Sequence, residues 1–288
     1  MLSIIVRISK RVAVLIPGLI MAYIAVNDVF PAFNRFLPSD TLAILATYII
    51  TAYLLIPAFL RLIRLVLRPK HIPLYCTTPD GFASDPVNIG IVGTQAEVSE
   101  IMTKAGWYPA DDRNLRTVFK LGLSMALRRP YKTAPFSNLY LFGRHQDMGF
   151  ELPLDHNPRH RHHVRFWAAS HTAEPEHLDH VLFWRRFHRA NLKTGRVLWV
   201  GAASLDTGIG VIRHNAQLTH MVHYDTDAER EFIVGQLEKT KLVKKTRTVN
   251  LGNPYRLRNR VVTGYMKADG KMTICKLHAS HASQPAQE

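Results

Sequence analysis

Two apolar runs near the N-terminus constrain this chain more than any other feature. Val12 to Phe30 is apolar apart from Asn27 and Asp28, and Leu42 to Leu60 is interrupted only by Thr47, Tyr48, Thr51 and Tyr53. Each approaches the ~20 residues a helix needs to cross a hydrocarbon core. Between them, Pro31 to Asp40 is a short polar turn bounded by Pro31 and Pro38. The runs therefore read as a transmembrane helical hairpin, with spans at about 12–30 and 41–62, filling residues 1–71. A cleaved signal peptide fits less well. Arg7, Lys10 and Arg11 resemble its charged start, but the apolar stretch is too long and no small-residue cleavage site follows.

Orientation follows from the flanking charges. Arg7, Lys10 and Arg11 precede the first run, while Arg61, Arg64, Arg68 and Lys70 follow the second; the turn carries only Arg35, countered by Asp40. The positive-inside bias places both termini in the cytoplasm, at the inner (plasma) membrane of the cell. The helical spacing of Arg61, Arg64 and Arg68 carries the second helix into the headgroup layer, where anionic lipid is the expected partner.

Residues 72–277 are expected to form a soluble domain at that surface, and 278–288 a disordered tail. With 47% apolar and 20% charged residues the 288-residue chain is not intrinsically disordered as a whole. Its two cysteines, Cys76 and Cys275, supply neither a disulfide framework nor zinc-finger spacing. The net charge is +15, and residues 72–288 hold 29 basic against 20 acidic residues, a net +9. Basic residues crowd at Arg159 to Arg165, Arg185 to Arg189 and Lys239 to Arg260. Aromatic residues are not interleaved with them as on a single-strand stacking surface, which argues against nucleic acid. A membrane protein partner stays open.

The coarse pattern of the domain is α+β with a mainly antiparallel sheet, lacking the strict alternation of a doubly wound fold. Val87 to Val92 predicts a buried strand. Thr94 to Glu97 is a capping box opening a helix that Gly106 stops. Leu115 to Leu127 has a second helical stripe, and Asp227 to Leu237 a third. Leu139 to Phe142, Val164 to Trp167, Val197 to Ala202 and Leu218 to Tyr224 predict strands, and Val261 to Leu277 a hairpin turning at Asp269-Gly270.

Several blocks then resemble the LssY C-terminal domain family: Arg129-Pro130-Tyr131-Lys132-Thr133-Ala134-Pro135, Leu139 to Arg144 with Gln146-Asp147, and Arg161-His162-His163-Val164-Arg165. Trp199-Val200-Gly201-Ala202-Ala203, and Thr219-His220 followed by Asp225, Asp227, Glu229 and Arg230, continue the series. The resemblance covers about Asp85 to Leu242. Members of that family often carry membrane modules, some resembling DedA-type proteins and lipid-phosphate phosphatases, so the resemblance implies a membrane setting. Two features depart from it: the anchor is a bare helix pair, and His171 to Lys193 is longer and more basic than the usual link. That segment reads equally as a lip, a lipid-contacting helix or a partner site.

The candidate chemistry lies in histidines near carboxylates. His162 and His163 are adjacent on a strand, so they face opposite sides and only one joins a given site; the same holds for His220 and His223. One from each pair, with Asp206 or Asp225, makes a two-histidine, one-carboxylate set suited to a divalent metal, with His162, His220 and Asp225 as ligand candidates. A metal-free histidine oriented by Asp206 or Asp225 for acid–base work is the alternative, and purely structural histidines a third reading. Arg144 and Arg165 are candidates for holding an anion, although Arg144 also suits a brace to Asp147. Gly201, Gly208 and Gly210 around Asp206 read as a Gly-rich turn, but no Walker loop is present. Ser204 and Ser137 lie outside any nucleophile elbow.

Two functions follow as expectations. One is a membrane-associated hydrolase acting on an anionic, phosphorylated or lipid-linked substrate at the inner leaflet. The other is a non-enzymatic envelope adaptor or assembly factor that binds lipid or a partner through basic faces such as Arg185, Arg186 and Arg189.

Overall fold

Two polar residues inside the N-terminal apolar runs bond to their own helices. Asn27 Nδ2 donates to Tyr23 O at 2.9 Å and Thr47 Oγ1 to Ala43 O at 2.7 Å, so neither needs an outside partner. The computed structural model describes residues 19–56, 58–59, 73–79, 81–127, 129–154, 159–168, 195–211, 218–258 and 265–278. The chain divides into two units, Met1–Leu67 with Pro79–Gly81, and Arg68–Thr78 with Phe82–Glu288.

In the first unit, residues 19–24 are helical, and a π-helical stretch, Ala25–Val29, leads into α1 (Phe30–Asn34). After a turn, α2 (Asp40–Ile50) starts at Ser39, whose side chain accepts from Leu42 N, and continues as π helix through Thr51–Leu55. The turn is shorter than Pro31 to Asp40. Pro31 lies inside α1, directly after the π-helical stretch, and Asp40 already belongs to α2. Among the described residues no helix is long and apolar enough to cross a membrane. Residues 12–18, 57 and 60–62 of the expected spans lie outside the described set, as do Arg7, Lys10, Arg11, Arg61, Arg64, Arg68 and Lys70.

The second unit is mixed α+β. One sheet contains β3 (Ile89–Gly93), β4 (Tyr108–Pro109), β7 (Met148–Pro153), β8 (His160–Ala168), β9 (Val197–Val211), β10 (Leu218–Val222), β11 (Val243–Asn250) and β14 (Lys271–Leu277). Its order is β11-β14-β3-β9-β8-β7-β4, with β10 beside the far end of β9. Every pairing is antiparallel except β14 with β3. A smaller antiparallel sheet runs β2-β1-β5-β6, formed by β1 (Tyr75–Thr77), β2 (Ala83–Pro86), β5 (Tyr140–Leu141) and β6 (Arg144–His145). β12 (Tyr255–Arg258) pairs with β13 (Tyr265–Ala268).

Burial runs almost unbroken along β8, so its sheet is covered on both faces. Val164, Phe166 and Ala168 join Trp199 and Ala203 of β9, beneath α3 (Gln95–Lys104) and α5 (Thr226–Lys239), which contribute Val98, Ile101, Met102, Ile233 and Leu237. Trp167 points the other way, with Leu198, Val200, Ala202, Ile274 and the Cys76 and Leu141 of the small sheet. Each buried large aliphatic or aromatic side chain contributes about 1.5–3 kcal/mol. The expected capping box is present: Thr94 N donates to Glu97 Oε2 at 2.8 Å and Glu97 N to Thr94 Oγ1 at 3.2 Å.

Four expectations are corrected. The Val87 to Val92 strand begins at Ile89, because the Asn88 side chain takes the place of a strand neighbour: Nδ2 donates to Ala203 O and Thr226 O while Oδ1 accepts from Ala203 N. Leu139 to Phe142 shortens to β5, cut off by a two-residue turn in which Phe142 and Gly143 take φ of 54° and 79°, as a primed hairpin turn requires. Asp269-Gly270 is no hairpin turn. β11 with β12 and β13 with β14 form one long interrupted ribbon, and Gly270 sits at the break, its carbonyl accepting from Leu251 N and Gly252 N. Its φ of 75°, and Gly252 O at 2.3 Å from a built Cβ, leave room only for glycine. Lastly, Gly201, Gly208 and Gly210 lie within β9 and form no turn.

Gly201 is where Phe166 and Ile89 close on β9, 2.6 and 2.7 Å from the place of a Cβ, whereas Gly235 in α5 has open space. Gly201→Ala is expected to lower stability by about 1–3 kcal/mol through overpacking. Gly235→Ala is expected to raise it by about 0.5–1 kcal/mol through helix propensity. Chemical denaturation of both variants checks the pair.

Candidate functional site

β8 carries Arg161, His163 and Arg165 at every second position, which sends all three to the face away from α3 and α5. Three buried basic groups on one face need counter-charges, since an unpaired buried charge is prohibitively costly. The fold supplies acidic partners from three other strands. Arg161 Nη1 donates to Glu151 of β7 and to Ala134 O at 3.0 Å, while its Nε donates to Asp206 Oδ2 of β9 at 3.3 Å. Arg165 Nη1 donates to Asp85 Oδ2 of β2 at 2.7 Å, and Nη2 to Ser137 O at 3.2 Å. His163 lies between two carboxylates, with Nε2 3.2 Å from Asp85 Oδ2 and Nδ1 3.3 Å from Asp206 Oδ1. The second is an ion-pair contact, off the angle of a hydrogen bond.

β9 runs past the end of β3, and there β10 replaces β3 as its neighbour. Asp206 therefore lies between Arg161 on β8 and Val222 on β10. The register slips between Met221 and Val222, and Gly208 takes a φ of 150° at the slip. His220, opposite Ile209, brings Nδ1 to 3.4 Å from Asp206 Oδ2. Its side chain is 23% exposed, while Asp206, Arg161 and His163 are almost wholly buried. His220 is thus the point at which the network meets the surface.

Phe136 roofs the cluster. Its ring lies 4.4 Å from the Arg165 guanidinium carbon, 5.6 Å from that of Arg161 and 5.8 Å from the His163 ring. It fits because Gly149, opposite Arg165, has no side chain; a Cβ there would stand 2.2 Å from Phe136 Cζ.

Charge states follow from burial set against these pairings. Burial alone would raise Asp206, but His163, His220 and Arg161 overcome it and hold its carboxyl well below the usual range. Burial opposes ionisation of Asp85 too, and the His163 bond and Arg165 reverse it. Burial would lower His163, but Asp206 beside it pushes it up. For His220 burial wins, helped by Arg161 and His163, and lowers it despite Asp206. Burial pushes Glu151 up to about 8 against the pull of Arg161. Several buried polar atoms have no hydrogen-bond partner among the described residues: Arg161 Nη2, Arg165 Nε, Ser204 Oγ, Glu151 Oε1, Asp206 Oδ1, and the Nδ1 atoms of His163 and His220. Buried polar groups in folded interiors nearly always have a partner, so this concentration sets the cluster apart from the rest of the core.

The other candidate residues lie elsewhere. His162 faces the opposite side of the sheet, its ring stacked on Phe232 at 4.2 Å and Nδ1 2.8 Å from Glu229 Oε2, so it is a core residue. Asp225 caps α5, accepting from Asp227 N and Ala228 N, and pairs with Lys267 Nζ at 2.8 Å. His223 Nδ1 accepts from Asp225 N at 3.3 Å. The set His162, His220 and Asp225 is therefore not assembled, because strand alternation puts His162 on the other face and the helix cap occupies Asp225. Among the described residues no group of three or more His, Cys, Asp or Glu side chains is placed to hold a metal ion. Arg144 bonds to Asp147 and to Ala168 O at 2.6 Å, the bracing arrangement. Arg185, Arg186, Arg189 and the rest of His171 to Lys193 lie outside the described residues, as does the tail beyond His278.

Asp85, Glu151 and Arg161 belong to the cluster and were not singled out by sequence. A usable signal exists for Arg161: basic residues at i, i+2 and i+4 inside an apolar strand demand buried carboxylates. Nothing local marks Asp85 or Glu151 as the ones that answer.

Residues 69–272 match the family described as LssY C-terminus. The chain belongs to that family. No curated protein and no solved structure matches it. All eight side chains of the cluster, Asp85, Glu151, Arg161, His163, Arg165, Ser204, Asp206 and His220, fall within the matched span, as does Phe136.

Two outcomes follow for the LssY C-terminal domain. Asp206→Asn leaves Arg161 and His163 without their shared counter-charge and is expected to cost about 3–5 kcal/mol, read by denaturant unfolding. The second concerns pH. Folded Glu151 keeps a proton that the unfolded chain releases above 4.5, so it makes stability fall as pH rises from about 4.5 to about 8. His163, raised by folding, acts in the same direction above its ordinary 6.5. Asp206 and Asp85, lowered by folding, act oppositely, losing their contribution only as pH falls below the carboxylate range. Glu151→Gln is expected to flatten the decline between pH 5 and 8 while leaving the acid limb in place, and an unchanged slope would show that Glu151 is ionised when folded.

Proposed function

We propose that this protein is a membrane-anchored hydrolase in which Asp206 and His220 form the acid–base pair. The observation that carries the reading is His220, a partly exposed imidazole whose Nδ1 lies 3.4 Å from the buried Asp206 carboxylate. A histidine so oriented, and lowered from its ordinary pKa, is neutral near pH 7 and able to accept a proton. In the proposed step, water attacks the electrophilic centre as His220 takes its proton. Asp206 stabilises the imidazolium, and the proton then passes to the departing group. Arg161 and His163 hold Asp206 ionised throughout.

The net charge of +15 favours an anionic substrate, phosphorylated or lipid-linked. Placement at the inner membrane face through a two-helix anchor is part of the proposal. It is supported by the apolar runs and by the side chains they leave uncovered, among them Leu19, Tyr23, Val26, Ile44, Leu45 and Leu54. Such a surface is costly in water.

His220→Ala is expected to lower kcat on phosphoester or ester substrates by about 100- to 10,000-fold with the unfolding midpoint unchanged. The wild-type rate should also fall in acid, on the low side of the ordinary histidine value of about 6.5, because burial lowers His220. If His220→Ala changes no turnover, or no turnover is found across the panel, the adaptor or assembly-factor reading takes its place.

A further inference from the structure

α4 (Leu115–Ala126) is held firmly at its ends yet leaves most of its apolar side chains uncovered. Asn114 and Thr117 form a reciprocal cap, each backbone N–H donating to the other's side chain at 3.0 Å. At the far end Ser124, the one buried residue of the helix, donates its hydroxyl to Arg129 O and accepts from Arg129 N through its carbonyl. Leu115 is nonetheless 92% exposed and Phe119 75%, with Val118, Leu123 and the following Leu127 exposed too.

At ~100° per residue, Leu115, Val118, Phe119 and Leu123 share an arc of ~140°. Arg116 and Lys120 follow at its edge, and both are exposed. Thr117, Leu121, Ser124 and Met125, on the remaining arc, are the less exposed positions. From Arg113 to Gln146 the chain holds seven Lys or Arg residues and no Asp or Glu. A protein surface that covers an apolar stripe need not be anionic. Exposed Leu and Phe flanked along the helix by Arg116 and Lys120 are the pattern of a helix lying in an anionic lipid interface.

We infer that α4 docks the LssY C-terminal domain onto anionic lipid, its Leu115, Val118, Phe119 and Leu123 face entering the headgroup layer and Arg113, Arg116 and Lys120 meeting lipid phosphates. The inference rests on the membrane placement proposed above and adds a second, reversible contact to the helical anchor.

The test uses the full chain in lipid vesicles with an environment-sensitive fluorophore at Leu123→Cys; Cys76 and Cys275 are buried and take up little label. Vesicles of phosphatidylcholine alone are compared with vesicles that also contain phosphatidylglycerol, each doped with nitroxide-bearing lipid as quencher. Strong quenching in the anionic vesicles is expected. It should fall several-fold in phosphatidylcholine and in the Arg116→Glu/Lys120→Glu variant, whose circular dichroism should match the parent. A label at the exposed Lys244 of β11, through Lys244→Cys, should stay unquenched. A Leu123→Cys label that is aqueous in both vesicle types overturns the proposal. So does one shielded equally in lipid-free detergent solution, which would mean that a second copy or another protein surface covers α4. Carbonate-resistant flotation reads the N-terminal anchor separately, so loss of flotation with quenching retained rejects the anchor and keeps the docking helix.

Discussion

Asp206 is the residue on which the interior arrangement depends. It is the counter-charge for Arg161, one of two for His163, and the only described carboxylate within ion-pair distance of His220. With Asp85 it balances a row of basic groups that β8 places in the interior, and Glu151 accepts a hydrogen bond from Arg161. Such networks gain strength from low dielectric only when their members are paired. The pairings here link β7, β8, β9 and β10 of the large sheet to one another and to β2 of the small sheet.

The two faces of the large sheet divide the work. The side under α3 and α5 is apolar and close-packed, and even its histidine, His162, is absorbed by stacking on Phe232 and bonding to Glu229. The opposite side changes character along its length. Near Leu198 and Val200 it is a second apolar core against the small sheet, and toward Asp206 it becomes ionic. The change coincides with the point where β9 outruns β3 and takes β10 as its partner. There His220 comes within reach of both solvent and Asp206. Its neighbour Asp206 is itself held by Arg161 and His163.

Much of the secondary structure was legible. The Thr94–Glu97 capping box, the stripes of α3, α4 and α5, the apolar second half of β8 and the apolar start of β9 are local patterns, and local patterns survive folding. Strands such as β1, β2, β6 and β7 were not read, since they are short or carry residues like Asp85, Arg144 and Glu151 that look like loop or surface. The Asp269-Gly270 pair shows the limit of turn chemistry: the dipeptide demands a special backbone conformation, and a break inside a ribbon uses that conformation as well as a hairpin end does.

What the sequence alone determined is whatever depends on neighbours a few residues apart: helix starts, strand alternation, the family resemblance, and the separation of His162 from His163 onto opposite faces. Tertiary structure decided which member of each pair meets which partner. His163, not His162, faces Asp206, because the sheet buries the 161-163-165 row away from the helices. His220 reaches Asp206 because β9 extends past β3 and its register slips at Gly208. Asp225 is withdrawn from the site because the start of α5 needs a cap. Those choices rest on residues 45 to 80 positions apart being brought within a few ångströms, as Arg161 is to Asp206 and Arg165 to Asp85. No pattern local to either partner encodes that distance.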